Sequence, residues 1–247
     1  MGGARHRPFK LAASLDVAAL AAQFASEGRV QVPAVLADDG AARLHRHLAS
    51  ELAWTLIFNH GHQLYELDEA ARARLDARQL MDLVRAAHNT SRQGFQYLFE
   101  NVRVPEPGEQ RRAAPGLLAR FADFLNDTPF LDFARRVTHT PEISFADAQA
   151  TCYRQGHFLT THDDLVAGKN RIAAYVFSLT PDWQPEWGGQ LQFIGERGHA
   201  VEGWVPRFNV LNLVRVPQPH LVSCVTPLAG DAARYSITGW LRHGMPP

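Results

Sequence analysis

Read for its alternation of apolar and polar positions, the chain changes rhythm near Pro141, from a helix-rich first part to a strand-rich second part. In the first part, Val17, Leu20, Ala21 and Phe24 recur at helical spacing between a candidate N-cap at Ser14 and a stop at Gly28. Arg29–Pro33 then alternates as a short strand. Asp38 is a candidate cap for a second helix carrying Ala42, Leu44, Leu48 and Leu52, and Trp54–Phe58 reads as a strand. Asp68–Ala87, with Leu75, Leu80, Leu83 and Val84, predicts helix. Phe95, Tyr97 and Phe99 alternate as a strand that runs into Pro105, Pro107, Gly108 and the basic pair Arg111 and Arg112, a pattern expected of a mobile loop. Two short helices follow. One starts at Pro115 with Leu118, Phe121 and Leu125 inward; the other is capped by Thr128, with Pro129 in its first turn and Phe130, Phe133 and Val137 inward.

Beyond Pro141 the pattern becomes successive strands: Ala148–Tyr153, Phe158–His162, Arg171–Leu179, Gln190–Ile194, Arg207–Val214, His220–Val225 and Ala233–Leu241. Runs of this length broken by Gly, Pro and Asp predict a double-sheet jelly roll. Arg171–Leu179 is apolar on both alternations and is expected to be a central strand covered on both faces. The N-terminal elements hold too few strands for a sheet of their own and should pack against the barrel. The expected organisation is one α+β domain over 1–247, with mainly helical support and a possible lid in 1–140 and the jelly-roll core in 141–243.

Composition narrows the class. Hydrophobic residues make up 46% and charged residues 20%, enough apolar material for a large core and against disorder. Lys+Arg and Asp+Glu both number 25, so the balance makes no electrostatic case for nucleic acid or an anionic membrane. Cys152 and Cys224 lie in apolar runs and read as reduced thiols rather than a disulfide framework. Asp16 interrupts the Ala-rich N-terminal segment before it could serve as a signal-peptide core, and no run is long enough for a membrane helix. A cytoplasmic protein is the default expectation, with the oligomeric state open.

The candidate chemistry lies in His162, Asp163 and Asp164. On an extended strand, side chains at i and i+2 share a face, so His162 and Asp164 would project together. His220, which opens a later apolar strand, is the candidate third ligand, and two His with one carboxylate and open positions suit non-haem Fe(II). Further on, Arg234, Ser236, Thr238 and Trp240 share one strand face. A buried Arg there needs an anion, which a dicarboxylate co-substrate would supply. His60 and His62 stand in a Gly-bearing loop, His157 falls on the face opposite His162, and His139 and His199 sit in turns; none is expected to bind metal.

Three stretches together carry a family resemblance: Cys152 and Tyr153 through Gly156 to His162 and Asp164; Asn170 and Arg171 through Trp183 to Trp187, Gly188 and Gly189; then His220 and Arg234 to Trp240. Over roughly 150–243 the sequence resembles the prolyl-4-hydroxylase-like Fe(II)/2-oxoglutarate dioxygenases. One departure is a longer interval between His220 and Arg234, where Pro227–Asp231 reads as an enlarged turn. The resemblance implies Fe(II) held by His162, Asp164 and His220, with 2-oxoglutarate and O2 as co-substrates and ascorbate as a stimulant. It also implies that Arg234 grips the distal carboxylate of 2-oxoglutarate with Ser236 assisting, and that Tyr153 donates its hydroxyl to the co-substrate. Related halogenating enzymes lack the carboxylate ligand, so Asp164 points to hydroxylation. Segment 88–112, with Phe95, Tyr97 and Phe99, would be the lid. The implied reaction is C–H hydroxylation of a prolyl residue in a protein or peptide, yielding succinate and CO2. Two alternatives stand beside it: the same chemistry on a free amino acid or other small molecule, and a catalytically silent jelly-roll binding module.

Overall fold

The computed structural model describes residues 7–60, 63–106, 109–113, 116–195 and 198–245. Helix α1 (Val17–Glu27) buries Ala21 and Phe24 and ends at Gly28, whose φ of 70° lets the Gly28 N–H turn back onto the Phe24 carbonyl. The chain continues through β1 (Arg29–Pro33), α2 (Gly40–Ser50), β2 (Thr55–His60) and β3 (Gln63–Leu67). Next come α3 (Glu69–Ala73), α4 (Ala77–Thr90), β4 (Tyr97–Arg103), α5 (Glu109–Ala113), α6 (Leu117–Leu125) and α7 (Thr128–Thr138). The remaining strands are β5 (Ile143–Ala146), β6 (Gln149–Tyr153), β7 (Phe158–His162), β8 (Arg171–Leu179), β9 (Leu191–Ile194), β10 (Ala200–Trp204), β11 (Phe208–Arg215), β12 (His220–Val222) and β13 (Arg234–His243).

Three expected caps move. The N-caps are Asp16, Asp39 and Asp127 in place of Ser14, Asp38 and Thr128; Asp16 accepts from the Ala19 N–H at 3.0 Å. The long helix expected over 68–87 is two helices, because Asp76 and Gln79 form a capping box that starts α4 afresh.

The strands form one curled antiparallel sheet in the order β1-β11-β8-β13-β6-β4-β7-β12-β9-β10, with β5 added on β13 and the β2–β3 hairpin on β4. This is the expected double-stranded β-helix. Its two ends meet through side chains: Arg29 of β1 pairs with Glu202 of β10 at 2.6 Å and lies 4.7 Å over the ring of Phe193 in β9. The N-terminal part does more than support the barrel, since β1 to β4 belong to the sheet and β4 sits between β6 and β7.

β8 is covered on both faces, as its double apolar pattern requires. Ala173, Tyr175, Phe177 and Leu179 enter the core under α1, α2, α6 and α7, where Phe177 meets Phe121 edge-on at 5.0 Å. Phe177→Ala would cost about 3–5 kcal/mol for a residue so enclosed. On the other face, Ala174 joins Leu191, Phe193, Trp204 and Val214 between the two layers of the barrel. α4 covers the β2–β4 corner with Leu80, Leu83 and Val84 against Leu56, Phe58, Leu98 and Phe158.

Segment 88–112 is not a free lid. Residues 97–103 are β4, hydrogen-bonded to β2, β6 and β7, because alternating aromatic residues find two neighbouring strands to fill. The loop after it contains α5, anchored by Arg111, which is 4% exposed, donates from Nε to the Pro105 carbonyl and pairs with Asp123. Gly61, His62, Pro107, Gly108 and Pro115 lie outside the described residues.

Candidate metal centre and its cavity

β7 and β12 pair so that His162 and His220 are direct partners. Asp164 reaches them differently from the expected i, i+2 alternation: β7 ends at His162, and Asp164 sits in a turn at φ 64°. The Asp163 carboxylate starts that turn by accepting from the Leu165 N–H at 3.0 Å. The convergence is nevertheless close. The Asp164 carboxylate lies 3.5 Å from His162 Nε2 and 3.4 Å from His220 Nε2, and the three ligand atoms fall within 4.8 Å of one another. Atoms bound to one ion at about 2.1 Å and at right angles stand about 3 Å apart, so small movements would close the set on a metal.

Tautomers are set by neighbours. His162 Nδ1 faces the Thr160 carbonyl at 3.0 Å and His220 Nδ1 faces the Gln218 carbonyl at 2.7 Å, so each Nδ1 carries the proton and each Nε2 offers a lone pair. Burial, and then the neighbouring His220, hold His162 below its ordinary pKa, which favours the neutral ligand form. No other such group of His, Cys, Asp or Glu occurs among the described residues. His157 is buried apart from the centre, His139 caps α7, and His199 lies in a turn. Cys152 and Cys224 are both free thiols.

The three residues face a cavity of about 470 Å³ that also takes in Arg234 and Tyr153. Arg234 is 4% exposed and pairs across the sheet with Tyr153, its guanidinium 4.9 Å from the phenol ring. Burial lowers the Arg234 pKa and pushes the Tyr153 phenol well up, so at neutral pH a cationic guanidinium faces a neutral hydroxyl. Arg234 Nε has no hydrogen-bond partner, and among the described residues no carboxylate pairs with this Arg. A buried cation without an acid, beside a cavity, is a candidate anion site.

Room for it depends on Gly189. At φ 62°, a Cβ there would stand 3.3 Å from Arg234 Cδ and 3.2 Å from Val225. Beside it, Gly188 at φ 69° passes so close to the Cys224 carbonyl that a Cβ would fall 2.1 Å from the oxygen. The Trp187, Gly188, Gly189 turn is structural, and its structure shapes the anion end.

The remaining expected residues divide. Ser236 is fully buried, hydrogen-bonded to Thr151 at 2.9 Å, and does not line the cavity; Thr151 does. Phe99 stacks on Tyr153 at 5.0 Å, and Tyr97 donates to Asn59, both as wall residues of β4. Phe95 stands at the mouth, 5.6 Å from the His162 ring and 55% exposed. Arg171, part of the motif stretch, also lines the cavity, as do Asn101 and Gln149, to which sequence reasoning gave no place in it. Gln149, Thr151 and Tyr153 alternate along β6, a signal that could have found the first two once the face of Tyr153 was chosen.

Residues 148–242 match the family model described as 2OG-Fe(II) oxygenase superfamily. Over this stretch the sequence is similar to that superfamily. It contains His162, Asp164, His220 and Arg234. Prolyl 3-hydroxylase OGFOD1 of Xenopus laevis is 28% identical over 120 residues, which cover 47% of this chain and 23% of that protein; the chain thus spans about a quarter of that curated relative. A prolyl-4-hydroxylase of Pseudomonas putida superposes with a TM-score of 0.56 at 18% identity, covering 93% of this chain and 100% of the other. A prolyl hydroxylase of Trichoplax adhaerens, solved with a peptide fragment of the hypoxia inducible factor oxygen degradation domain, superposes with a TM-score of 0.57 at 16% identity, covering 92% and 89%. At these identities the structural likeness speaks for the fold.

Proposed function

We propose that this protein is an Fe(II)- and 2-oxoglutarate-dependent dioxygenase that hydroxylates a prolyl residue within a protein or peptide. The observation that carries the reading is the joint presence, in one cavity, of a convergent His, Asp, His set and a buried Arg without an acid. His162, Asp164 and His220 would hold Fe(II), which when bound supplies O2 activation coupled to oxidative decarboxylation of 2-oxoglutarate. The balance is substrate C–H, O2 and 2-oxoglutarate in, and substrate C–OH, succinate and CO2 out.

The protein's own groups provide the rest. Arg234 meets the distal carboxylate with its planar fork, and the Tyr153 hydroxyl, already beside the guanidinium, donates to the same molecule. Ser236 acts through Thr151, whose hydroxyl it holds at the cavity wall. Phe99 packs behind Tyr153 and keeps water from that end.

A peptide substrate is favoured by the mouth and by the charges. Phe95, Leu165 and Val166 line the opening yet are 55%, 62% and 44% exposed, an apolar rim that a larger ligand would cover. The cavity's other cations already have carboxylate partners, Arg103 with Glu66 and Arg171 with Asp164. Among the described residues, no cation beyond Arg234 is then left in the cavity to specify the carboxylate of a free amino acid. The two unpaired cysteines fit a reducing compartment such as the cytoplasm.

Turnover with Fe(II) and 2-oxoglutarate, read as succinate and as a gain of one oxygen by mass, tests the reading on Pro-containing peptides and on free L-proline. Hydroxylated peptide with little hydroxyproline is the expected result. Free proline hydroxylated while no peptide or lysate protein gains oxygen would replace the substrate class, and absence of 2-oxoglutarate turnover would favour the silent binding module.

A further inference from the structure

Asp164 is the least secured of the three metal-facing residues by strand pairing, because it lies beyond the end of β7 in the left-handed region at φ 64°. A non-glycine residue holds that conformation only when its surroundings impose it. The far side of the loop is tied by Arg242 Nε to the Lys169 carbonyl and by the His243 N–H to the Asn170 carbonyl, while one side chain holds Asp164 itself. Arg171, the first residue of β8, donates from Nη1 to the Asp164 backbone carbonyl at 3.0 Å, and the same nitrogen stands 4.0 Å from the Asp164 carboxylate. That hydrogen bond closes the 164–171 loop across its base.

Arg171 is itself immobilised. Its guanidinium carbon lies 3.4 Å over the ring of Trp240 on β13, a close cation–π contact that leaves Nη1 hydrogen-bonded to Asp164. Inside the loop, the Leu165 N–H bonds the Asp163 carboxylate and the Lys169 N–H bonds the Val166 carbonyl, but neither contact touches Asp164.

From this geometry we infer that Arg171, clamped on Trp240, is a positioning residue for the carboxylate ligand: it fixes the turn that aims Asp164 at the two imidazoles. The inference rests on the reading of Asp164 as a metal ligand. Arg171 neither binds the metal nor replaces Arg234 as the anion site; it acts through Asp164. Partners of metal ligands that orient them typically change metal affinity by about 10- to 100-fold when removed.

Co(II) is a suitable probe because its visible absorption reports coordination geometry without turnover. Titration of the apo-protein with Co(II) should give a dissociation constant raised about 10- to 100-fold in Arg171→Gln, with an altered absorption band. Arg171→Lys, which keeps the charge but loses the planar stack and fork, should fall between Arg171→Gln and wild type. Trp240→Phe, which keeps an aromatic face, should lie near wild type, and Trp240→Leu should move toward Arg171→Gln. Asp164→Ala separates the two readings. If it binds Co(II) as tightly as wild type, the metal-centre reading falls and the positioning role with it. If Asp164→Ala loses Co(II) while Arg171→Gln and Arg171→Lys match wild type in affinity and spectrum, only the positioning role is overturned.

Discussion

His162 and His220 are direct cross-strand partners whose rings lie 4.2 Å apart, and each faces with Nδ1 the carbonyl of the residue two positions before it, Thr160 and Gln218. The two imidazoles are thus oriented by backbone carbonyls, that of Thr160 within β7 and that of Gln218 in the turn before β12, independently of a metal. Because the site is open rather than a closed structural cage, replacing His162, Asp164 or His220 by Ala should abolish Fe(II)-dependent succinate formation while leaving the apo-protein's Tm within a few degrees of wild type. Near wild-type succinate formation in any one variant would remove that residue from the ligand set.

Arg234 makes the opposite trade between stability and function. A buried cation lacking an acid is costly, whereas an apolar side chain of similar length has no such cost. Arg234→Met should therefore leave the apo-protein as stable as wild type or more so, by up to about 1–4 kcal/mol, and should lack the Tm increase expected of wild type with 2-oxoglutarate. Arg234→Lys should retain part of that increase with a raised KM for 2-oxoglutarate, a point charge replacing a fork. An undiminished 2-oxoglutarate shift in Arg234→Met would put the anion elsewhere.

The parts of the fold legible in the sequence were those in which one residue's pattern decides its element. The double apolar alternation of Arg171–Leu179 required a strand with two covered faces, and β8 is one. Gly28 required a helix end. What escaped was set by partners distant in sequence. β4 looked like the start of a mobile segment because nothing in 88–112 reveals that β2, β6 and β7 flank it. β10 escaped because only Trp204 of its residues is buried, which leaves no apolar alternation to read. At the site, His162, Asp164 and His220 were legible as residue types, but the turn that carries Asp164 was not, since its φ depends on Arg171 and Trp240. Ser236 shares the strand face of Arg234, yet Thr151 stands between it and the cavity.

Gly188 and Gly189 are adjacent, both at positive φ, and should fail in different ways. In Gly188→Ala the new Cβ meets a backbone oxygen at 2.1 Å, which cannot rotate aside, so the strain of about 1–3 kcal/mol for the left-handed conformation adds to a steric displacement of the 224–226 segment. A markedly lower Tm is expected. In Gly189→Ala the nearest atoms are side chains of Val225, Arg234 and Trp183 at 3.2–3.3 Å, so a smaller loss of Tm should accompany a raised KM for 2-oxoglutarate. Equal Tm losses with no change in KM would detach Gly189 from the anion end.

His157 gives the fold a pH dependence that is separable from the active site. Its side chain is 8% exposed, Nδ1 has no partner, and burial pushes its pKa from 6.5 down to about 4 even though Glu100 lies near enough to raise it. Nearby Arg154 and His88 reinforce the downward shift. A base whose folded pKa is depressed takes up its proton more readily when unfolded, so its burial is without penalty above pH 6.5 and becomes destabilising as pH falls from 6.5 toward 4. Between pH 7.5 and 4.5 this group alone should remove about 2–3 kcal/mol, on the order of 1.4 kcal/mol per pKa unit. Glu100, which burial would raise but which hydrogen bonds from Arg154 and Arg72 hold below the ordinary carboxylate range, adds a loss in the same direction at lower pH. Urea unfolding of wild type and His157→Gln at both pH values isolates the histidine: the variant should lose about 2–3 kcal/mol less than wild type on acidification. Parallel losses in the two proteins would show that His157 keeps an ordinary pKa in the folded chain.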